Sequence, residues 1–236
     1  MSLLGLSKPA SASGTLRVLA ALLSYPDAER RGHLPEMRAI LRRERAVPAG
    51  RLAELDVLLD TVSRGDPLDA EADYVQLFDR GRGTSLHLFE HVHGDSRDRG
   101  PAMIDLAQTY EKAGLLLVPG ELPDFLPAVL EFVSSQPPRE AQAFLGEIAH
   151  ILNTIFGALQ QRESAYASVL GALLELAGER AQPVSLPAEE SIDESWAEPV
   201  VFGGCSTTGQ AKPGQVQTIH VVRKNASNSG QPGAAS

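Results

Sequence analysis

Residues 14–180 of this chain are predicted to form a single all-α domain, a bundle of about eight helices. Apolar residues recur at i, i+3, i+4 and i+7 in successive windows up to residue 178. Sustained alternation of apolar and polar residues is missing before residue 181, so strands are not expected there. The links between the periodic windows are short and carry Pro, Gly or Asp, as is typical of helical bundles.

Four helices are predicted in the first third of the chain, over residues 14–23, 33–45, 49–64 and from 67 onward. The first ends before Pro26, because the residue that precedes a proline avoids the helical region. The fourth begins at Asp66 and Pro67, where the carboxylate caps the helix and the proline occupies its first position.

The remaining helices follow an interruption at residues 79–85. Residues 86–92 are expected to form a short helix, and a longer one follows residue 95 and ends at Gly114. After a Pro-rich link, further helices are predicted over residues 126–133, over 138–159 as the longest, and from 164 to Gly178.

Both ends of the chain are predicted to lack a fold of their own. Residues 1–13 are expected to be flexible, and residues 181–236 form a low-complexity tail rich in Pro, Ser, Gly and Gln. Two tail segments, 196–202 and 216–222, have the apolar character of docking segments. The single cysteine, Cys205, lies in this tail without a basic neighbour, and we expect it to be inert.

Composition excludes several classes of function. Among 236 residues, 21 are basic and 30 acidic, and residues 101–180 hold four basic and ten acidic residues. This balance argues against nucleic acid as a partner and favours a basic protein segment. The sequence has no run of 18 or more apolar residues, so we expect no membrane-spanning helix. Residues 1–14 lack the pattern of a secretory signal. We therefore expect a cytoplasmic protein without direct membrane insertion.

Polar residues are densest in a segment that we call the polar seam, residues 74–114. It contains His87, His91 and His93 together with two clusters of arginine and aspartate. If residues 86–93 are helical, His87 and His91 share one face, and Glu90 and Asp95 could complete the metal site of an all-helical metal-binding protein or a metal-dependent hydrolase. The alternative is that these histidines form hydrogen bonds within the protein.

Other chemistry has less support in the seam. The run Gly81-Arg82-Gly83-Thr84-Ser85 lacks the spacing and the lysine of a phosphate-binding loop. Residues 79–99 contain four arginines and four acidic residues, a balance that predicts internal ion pairs rather than an anion site. No Gly-x-Ser-x-Gly sequence marks a catalytic nucleophile.

Three runs in the seam resemble a known family: YVQLFDRGR at 74–82, SLHLFEHVHGDSRDRG at 85–100 and AMIDL at 102–106. Together with LSYP at 23–26 and ELPDFLP at 121–127, they resemble the NarJ family of respiratory nitrate reductase assembly chaperones. The resemblance covers residues 14–178 and implies the all-helical fold of TorD-like redox-enzyme maturation proteins. Residues 14–180 would then be the chaperone domain.

The resemblance also implies a function. Members of the family bind the N-terminal segment of the catalytic (alpha) subunit of nitrate reductase and keep that subunit open for insertion of the molybdenum cofactor. They assist the insertion without holding the cofactor stably, are not enzymes, and are absent from the finished complex. It further implies contacts with molybdenum cofactor biosynthesis proteins.

The family motif supplies the candidate residues for client binding. Aromatic and apolar members are expected to wall a groove for the client peptide, and the acidic excess of residues 101–180 is expected to steer it. The candidates are Tyr74, Leu77, Phe78, Asp79, Arg80, His87, Phe89, Glu90, His91, His93, Asp95, Arg97, Asp98, Arg99, Met103 and Tyr110.

Overall fold

A computed structural model of the protein describes residues 12–94 and 96–182. The predictions for the flexible N-terminus up to residue 11, for Asp95 and for the tail from residue 183 lie outside the described residues. The same holds for Cys205 and for the two predicted docking segments.

The described residues contain eleven α-helices and no β-strand, which confirms the all-α class. The fifth and sixth helices are separated by two short turns: a π-helical turn at Val75–Asp79 and a 3-10 turn at Arg82–Thr84. The helices are α1 Ser13–Leu22, α2 Ala28–Gly32, α3 Leu34–Glu44, α4 Ala49–Arg64, α5 Pro67–Tyr74, α6 Leu88–Val92, α7 Arg99–Lys112, α8 Leu126–Ser135, α9 Pro138–Glu147, α10 Ala149–Gln161 and α11 Ala167–Ala177.

Several helix ends lie where the sequence predicts them. The Asp66 side chain accepts a hydrogen bond from the N–H of Leu68 at 2.8 Å, and Pro67 opens α5. Gly114 and Gly178 follow α7 and α11 with φ of 81° and 85°, a conformation that favours glycine. Local signals therefore fix these ends.

Two predictions about helices are wrong. The five-residue helix α2 was not foreseen, and the helix predicted over residues 138–159 is divided into α9 and α10 at Ile148, where φ is −93° and ψ is 3°. The division allows the apolar faces of both pieces to pack against α11. A single straight helix could not change direction at Ile148 to bring both apolar faces against α11.

The core forms around α1, α8, α10 and α11, whose apolar side chains include the fully buried Leu19, Val133, Leu152 and Leu173. Helix α5 joins this core through Tyr74, whose hydroxyl donates a hydrogen bond to the carbonyl oxygen of Leu23 at 2.7 Å. In the described part of the chain, no helix combines the length and the apolar character that crossing a membrane requires.

Candidate partner-binding site

The buried carboxylate of Asp124 organises the polar seam. Its Oδ1 lies 3.3 Å from Nδ1 of His87, and its Oδ2 accepts a hydrogen bond from the N–H of Phe89 at 3.2 Å. Nη2 of Arg99 lies 3.7 Å from Oδ2 of Asp124 and 3.6 Å from Oε1 of Glu90. Asp124 precedes α8, so one carboxylate connects the starts of α6, α7 and α8.

Backbone pairing places Asp124 beside the histidines. The N–H of Leu88 donates to the carbonyl oxygen of Asp124 at 3.0 Å, and the N–H of Leu126 donates to that of Leu86 at 2.8 Å. His87 and Phe125 form an isolated antiparallel bridge. His87 is therefore extended and precedes α6, which corrects the prediction that His87 and His91 share one face of a helix.

The histidines of the seam contact protein groups. His91 Nε2 lies 2.9 Å from the carbonyl oxygen of Ser85, and the His93 ring packs edge-on against Phe89. The hydrogen bond with Asp124 raises the pKa of His87, while partial burial acts in the opposite direction. The prediction that these histidines form internal hydrogen bonds is confirmed for His87 and His91.

A metal centre in the seam is not supported. Within residues 12–94 and 96–182, no three His, Cys, Asp or Glu side chains group closely enough to hold a metal ion. The proposed ligands also have other partners, because His87 contacts Asp124, His91 contacts Ser85 and Glu90 contacts Arg99. The fourth proposed ligand, Asp95, lies outside the described residues.

The turn after α5 is closed by buried groups. The Thr84 hydroxyl is fully buried and lies within hydrogen-bonding distance of the carbonyl oxygens of Leu77 and Gly81. The Arg162 guanidinium approaches Gly81 so closely that a Cβ atom there would lie 2.8 Å from its nitrogens. Gly81 and the Thr84 hydroxyl therefore stabilise the turn, which is a structural role.

The structure separates the predicted binding residues into three groups. Tyr74, Phe78 and Tyr110 are buried in the core, and the Tyr110 hydroxyl donates to the carbonyl oxygen of Pro123 at 2.8 Å. Partly exposed are Leu77, His87, Phe89, His91, His93, Arg99 and Met103. Exposed are Asp79, Arg80, Glu90, Arg97 and Asp98.

A groove lies between the C-terminal half of α4 and α5 and reaches the π-helical turn through Gln76 and Leu77. We call it the α4/α5 groove; its volume is about 490 Å³, and residues of the link between α10 and α11 complete its lining. Its lining residues are Leu58, Thr61, Val62, Gly65, Asp66, Asp69, Ala70, Asp73, Gln76, Leu77, Arg162, Ser164, Ala165 and Tyr166. Of the predicted binding residues, Leu77 lines this groove.

Three aspartates follow one stripe of α5 along the groove. Asp69 and Asp73 lie on one face of α5, and Asp66, the N-cap residue, precedes them at the spacing i, i+3 and i+7. All three are exposed and line the groove. Asp69 and Asp73 form no ion pair with another described residue. Burial and then the charge of Asp73 raise the pKa of Tyr166, at the groove floor, to about 12.

The opposite face of α5 anchors the helix. Tyr74 contacts Leu23 on this face. Glu71 on the same side accepts hydrogen bonds from the Arg31 guanidinium and the Tyr25 hydroxyl, both at 2.9 Å. The charges of Asp69 and Asp73 on the groove side are thus separate from the contacts of Tyr74 and Glu71 that hold α5 in place.

Two groups of residues were missed as site candidates. Asp124 is the one charged residue between Leu122 and Leu130, and this isolation is a signal for a buried charge. The i, i+3, i+7 spacing of the α5 aspartates is also visible in the sequence, but only the structure places α4 and Tyr166 opposite them.

The comparisons with known proteins point to one family. The profile of a family described as nitrate reductase delta subunit matches residues 44–170, a span that includes the seam and the lining residues of the α4/α5 groove. The chain is 48% identical over 162 residues to the nitrate reductase molybdenum cofactor assembly chaperone NarJ of Escherichia coli K12, covering 69% of each chain.

Two further proteins extend this similarity. NarW of Escherichia coli K12, proposed to be a nitrate reductase molybdenum cofactor assembly chaperone, is 39% identical over 179 residues, which cover 76% of this chain and 74% of NarW. A crystal structure of a proposed redox enzyme maturation protein from Archaeoglobus fulgidus superposes with a TM-score of 0.51 at 19% identity. That match covers 75% of this chain and 99% of the archaeal one, and it supports the fold.

Proposed function

The chain belongs to the nitrate reductase delta subunit family, and on this basis we propose that it is an assembly chaperone for respiratory nitrate reductase. It acts on the apo form of the enzyme, before and during insertion of the molybdenum cofactor. The similarity to NarJ over two thirds of both chains carries the proposal. The chain is a chaperone rather than an enzyme.

The client that we propose is the catalytic subunit, recognised through its N-terminal segment in the cytoplasm. The chaperone keeps this subunit competent for cofactor insertion, does not hold the cofactor itself, and leaves before the enzyme is finished. Proteins of molybdenum cofactor biosynthesis are further partners under this proposal.

The geometry of the seam supports a scaffolding role for much of the family motif. His87, Phe89 and Arg99 surround the Asp124 carboxylate, so their polar groups serve to join helices. Buried polar groups with internal partners are unavailable for catalysis or for a ligand without rearrangement. The exposed motif residues and the α4/α5 groove are surfaces that stay open to a client.

A deletion strain tests the proposed function. Without this chain, nitrate reductase should accumulate with little molybdenum and little activity, and a plasmid copy of the chain should restore both. Metal analysis of the purified reductase separates a failure of cofactor insertion from a failure of expression. Full molybdenum content and activity in the deletion strain would contradict the proposal.

A further inference from the structure

We propose that the α4/α5 groove is the docking site for the client's N-terminal segment. This inference rests on the proposed function and adds the place and the chemistry of recognition. The segment binds as a basic amphipathic helix. Its apolar side rests on the groove floor and its basic side chains face Asp66, Asp69 and Asp73.

The shape of the groove fits a helical ligand. Its two walls are helices, and its volume of about 490 Å³ lies within the range of about 300–1,000 Å³ that is common for binding sites. The floor is apolar, with Leu58 and Val62 from α4 and Tyr166 from the link before α11. A floor of this kind accepts the apolar face of an amphipathic helix.

The charges decide what kind of helix fits. From Asp66, the N-cap of α5, to Asp73 the stripe covers seven residue steps, which at 1.5 Å per step is about 10 Å, or two helical turns. Basic side chains spaced i, i+3 or i+4 and i+7 on the ligand would match it. Among the lining residues, Arg162 is the cation, and its guanidinium lies against Gly81. An acidic or neutral segment would leave Asp69 and Asp73 without partners.

The structure of α5 also suits a recognition surface. Its groove side carries exposed carboxylates, whereas Tyr74 and Glu71 on the other side fix its position through Leu23 and Arg31. Pre-organised charges lose little conformational freedom on binding, which favours affinity. Neutralising the groove side should therefore leave the fold intact.

Charge neutralisation is the first test. The triple variant Asp66→Asn, Asp69→Asn, Asp73→Asn removes three charges, and asparagine at position 66 preserves the N-cap. The probe is a synthetic peptide with the N-terminal sequence of the nitrate reductase catalytic subunit from the same organism. Titration calorimetry should show at least about tenfold weaker binding at low salt, as expected for three exposed ion pairs. Wild-type affinity should fall with added salt, and that of the variant should fall less.

A matched control separates the groove from net charge. Asp105→Asn, Glu111→Gln and Glu121→Gln remove three exposed charges from the acidic region that the sequence predicted to steer the client. This control should bind the peptide within about threefold of wild type, because its charges lie away from the groove. Equal losses in both triple variants would overturn the groove as the docking site.

Steric filling is the second test. Ala70 lines the groove, whereas Ala72 lies exposed on the same helix and outside the lining. Ala70→Trp should abolish measurable peptide binding, and Ala72→Trp should retain it. Circular dichroism melting curves establish that both variants fold.

The outcomes distinguish the two levels of inference. If wild-type protein does not bind the peptide, N-terminal recognition itself is wrong, and so is the proposed function in that form. If wild type binds but the triple Asn variant and Ala70→Trp bind equally well, the groove proposal is wrong and the chaperone function stands. Wild-type dimers that the groove variants lose would assign the groove to a second copy of the chain and would overturn the proposal.

Discussion

The polar seam and the α4/α5 groove use similar residues for different purposes. In the seam, the Asp124 side chain is 0% exposed and has His87, Phe89 and Arg99 as partners. In the groove, Asp69 and Asp73 are exposed above an apolar floor, and neither forms an ion pair within the described residues. A carboxylate with internal partners joins helices, whereas an exposed one without them remains available to a ligand.

This difference explains why the density of polar residues is a poor guide to a binding surface. The seam contains histidines and two clusters of arginine and aspartate, but much of its hydrogen-bonding capacity is used within the fold. The groove aspartates lie in the first 100 residues, where acidic and basic residues are nearly balanced at 15 and 14. Net charge over long windows therefore missed them.

The largest effect should follow the loss of the seam carboxylate. Asp124→Ala leaves the Phe89 N–H and His87 without their partner and leaves Arg99 with Glu90 alone, and we expect it to lower the free energy of unfolding by about 2–4 kcal/mol. Urea unfolding followed by circular dichroism measures this loss. The control Asp98→Ala removes an exposed carboxylate that contacts Ser96, and should cost about 0.5 kcal/mol. Equal costs would show that the seam is not held by Asp124.

A smaller effect should appear in the pH dependence of stability. Because the pKa of His87 is raised in the folded state, its contribution is complete below the pKa of the unfolded chain, near 6.5, and is lost as the pH rises through the folded value. The advantage of wild type over His87→Gln in free energy of unfolding should therefore be larger at about pH 5.5 than at about pH 8.5. Of the charged groups that face His87, Asp124 and Glu90 raise the pKa of its imidazole and Arg99 lowers it.

The size of that effect is limited by solvent. The His87 side chain is 32% exposed, so we expect a change of at most about 1 kcal/mol between the two pH values. A wild-type advantage that grows with pH would contradict the role of His87 as a partner of Asp124.

The smallest effect should be that of metal removal. A structural metal present at about 100 times its Kd would add about 2.7 kcal/mol of stability, which would shift the Tm by several degrees. We expect a chelator to leave the Tm of the purified protein unchanged. A clear fall in Tm would restore the seam histidines as metal ligands and would remove the contrast with the groove.

Much of the fold follows from local sequence. Residues 49–64 form a helix with the predicted bounds, Asp66 caps the next one, and Gly178 ends the last. The errors have physical causes: α2 is too short to show a period, and Ile148 divides a continuous apolar pattern because both halves pack on α11.

Less of the candidate site could be predicted. His87 is extended because it pairs with Phe125, 38 positions away, and no local pattern reports such a pairing. Tyr74, Phe78 and Tyr110 were expected to wall a peptide groove, yet they are buried in the core. Helical spacing identifies the apolar face of a helix, but it does not tell whether a neighbouring helix or a partner covers that face.

The most direct test of the contrast between seam and groove is an NMR titration of the wild-type protein with the client's N-terminal peptide. The largest chemical-shift changes should come from backbone amides of the groove, in residues 58–77 and 162–166. Amides around the Asp124 cluster, at residues 86–89 and 124–126, should change little. Changes centred on the cluster, with the groove unaffected, would contradict the assignment of the seam as scaffold and the groove as the recognition site.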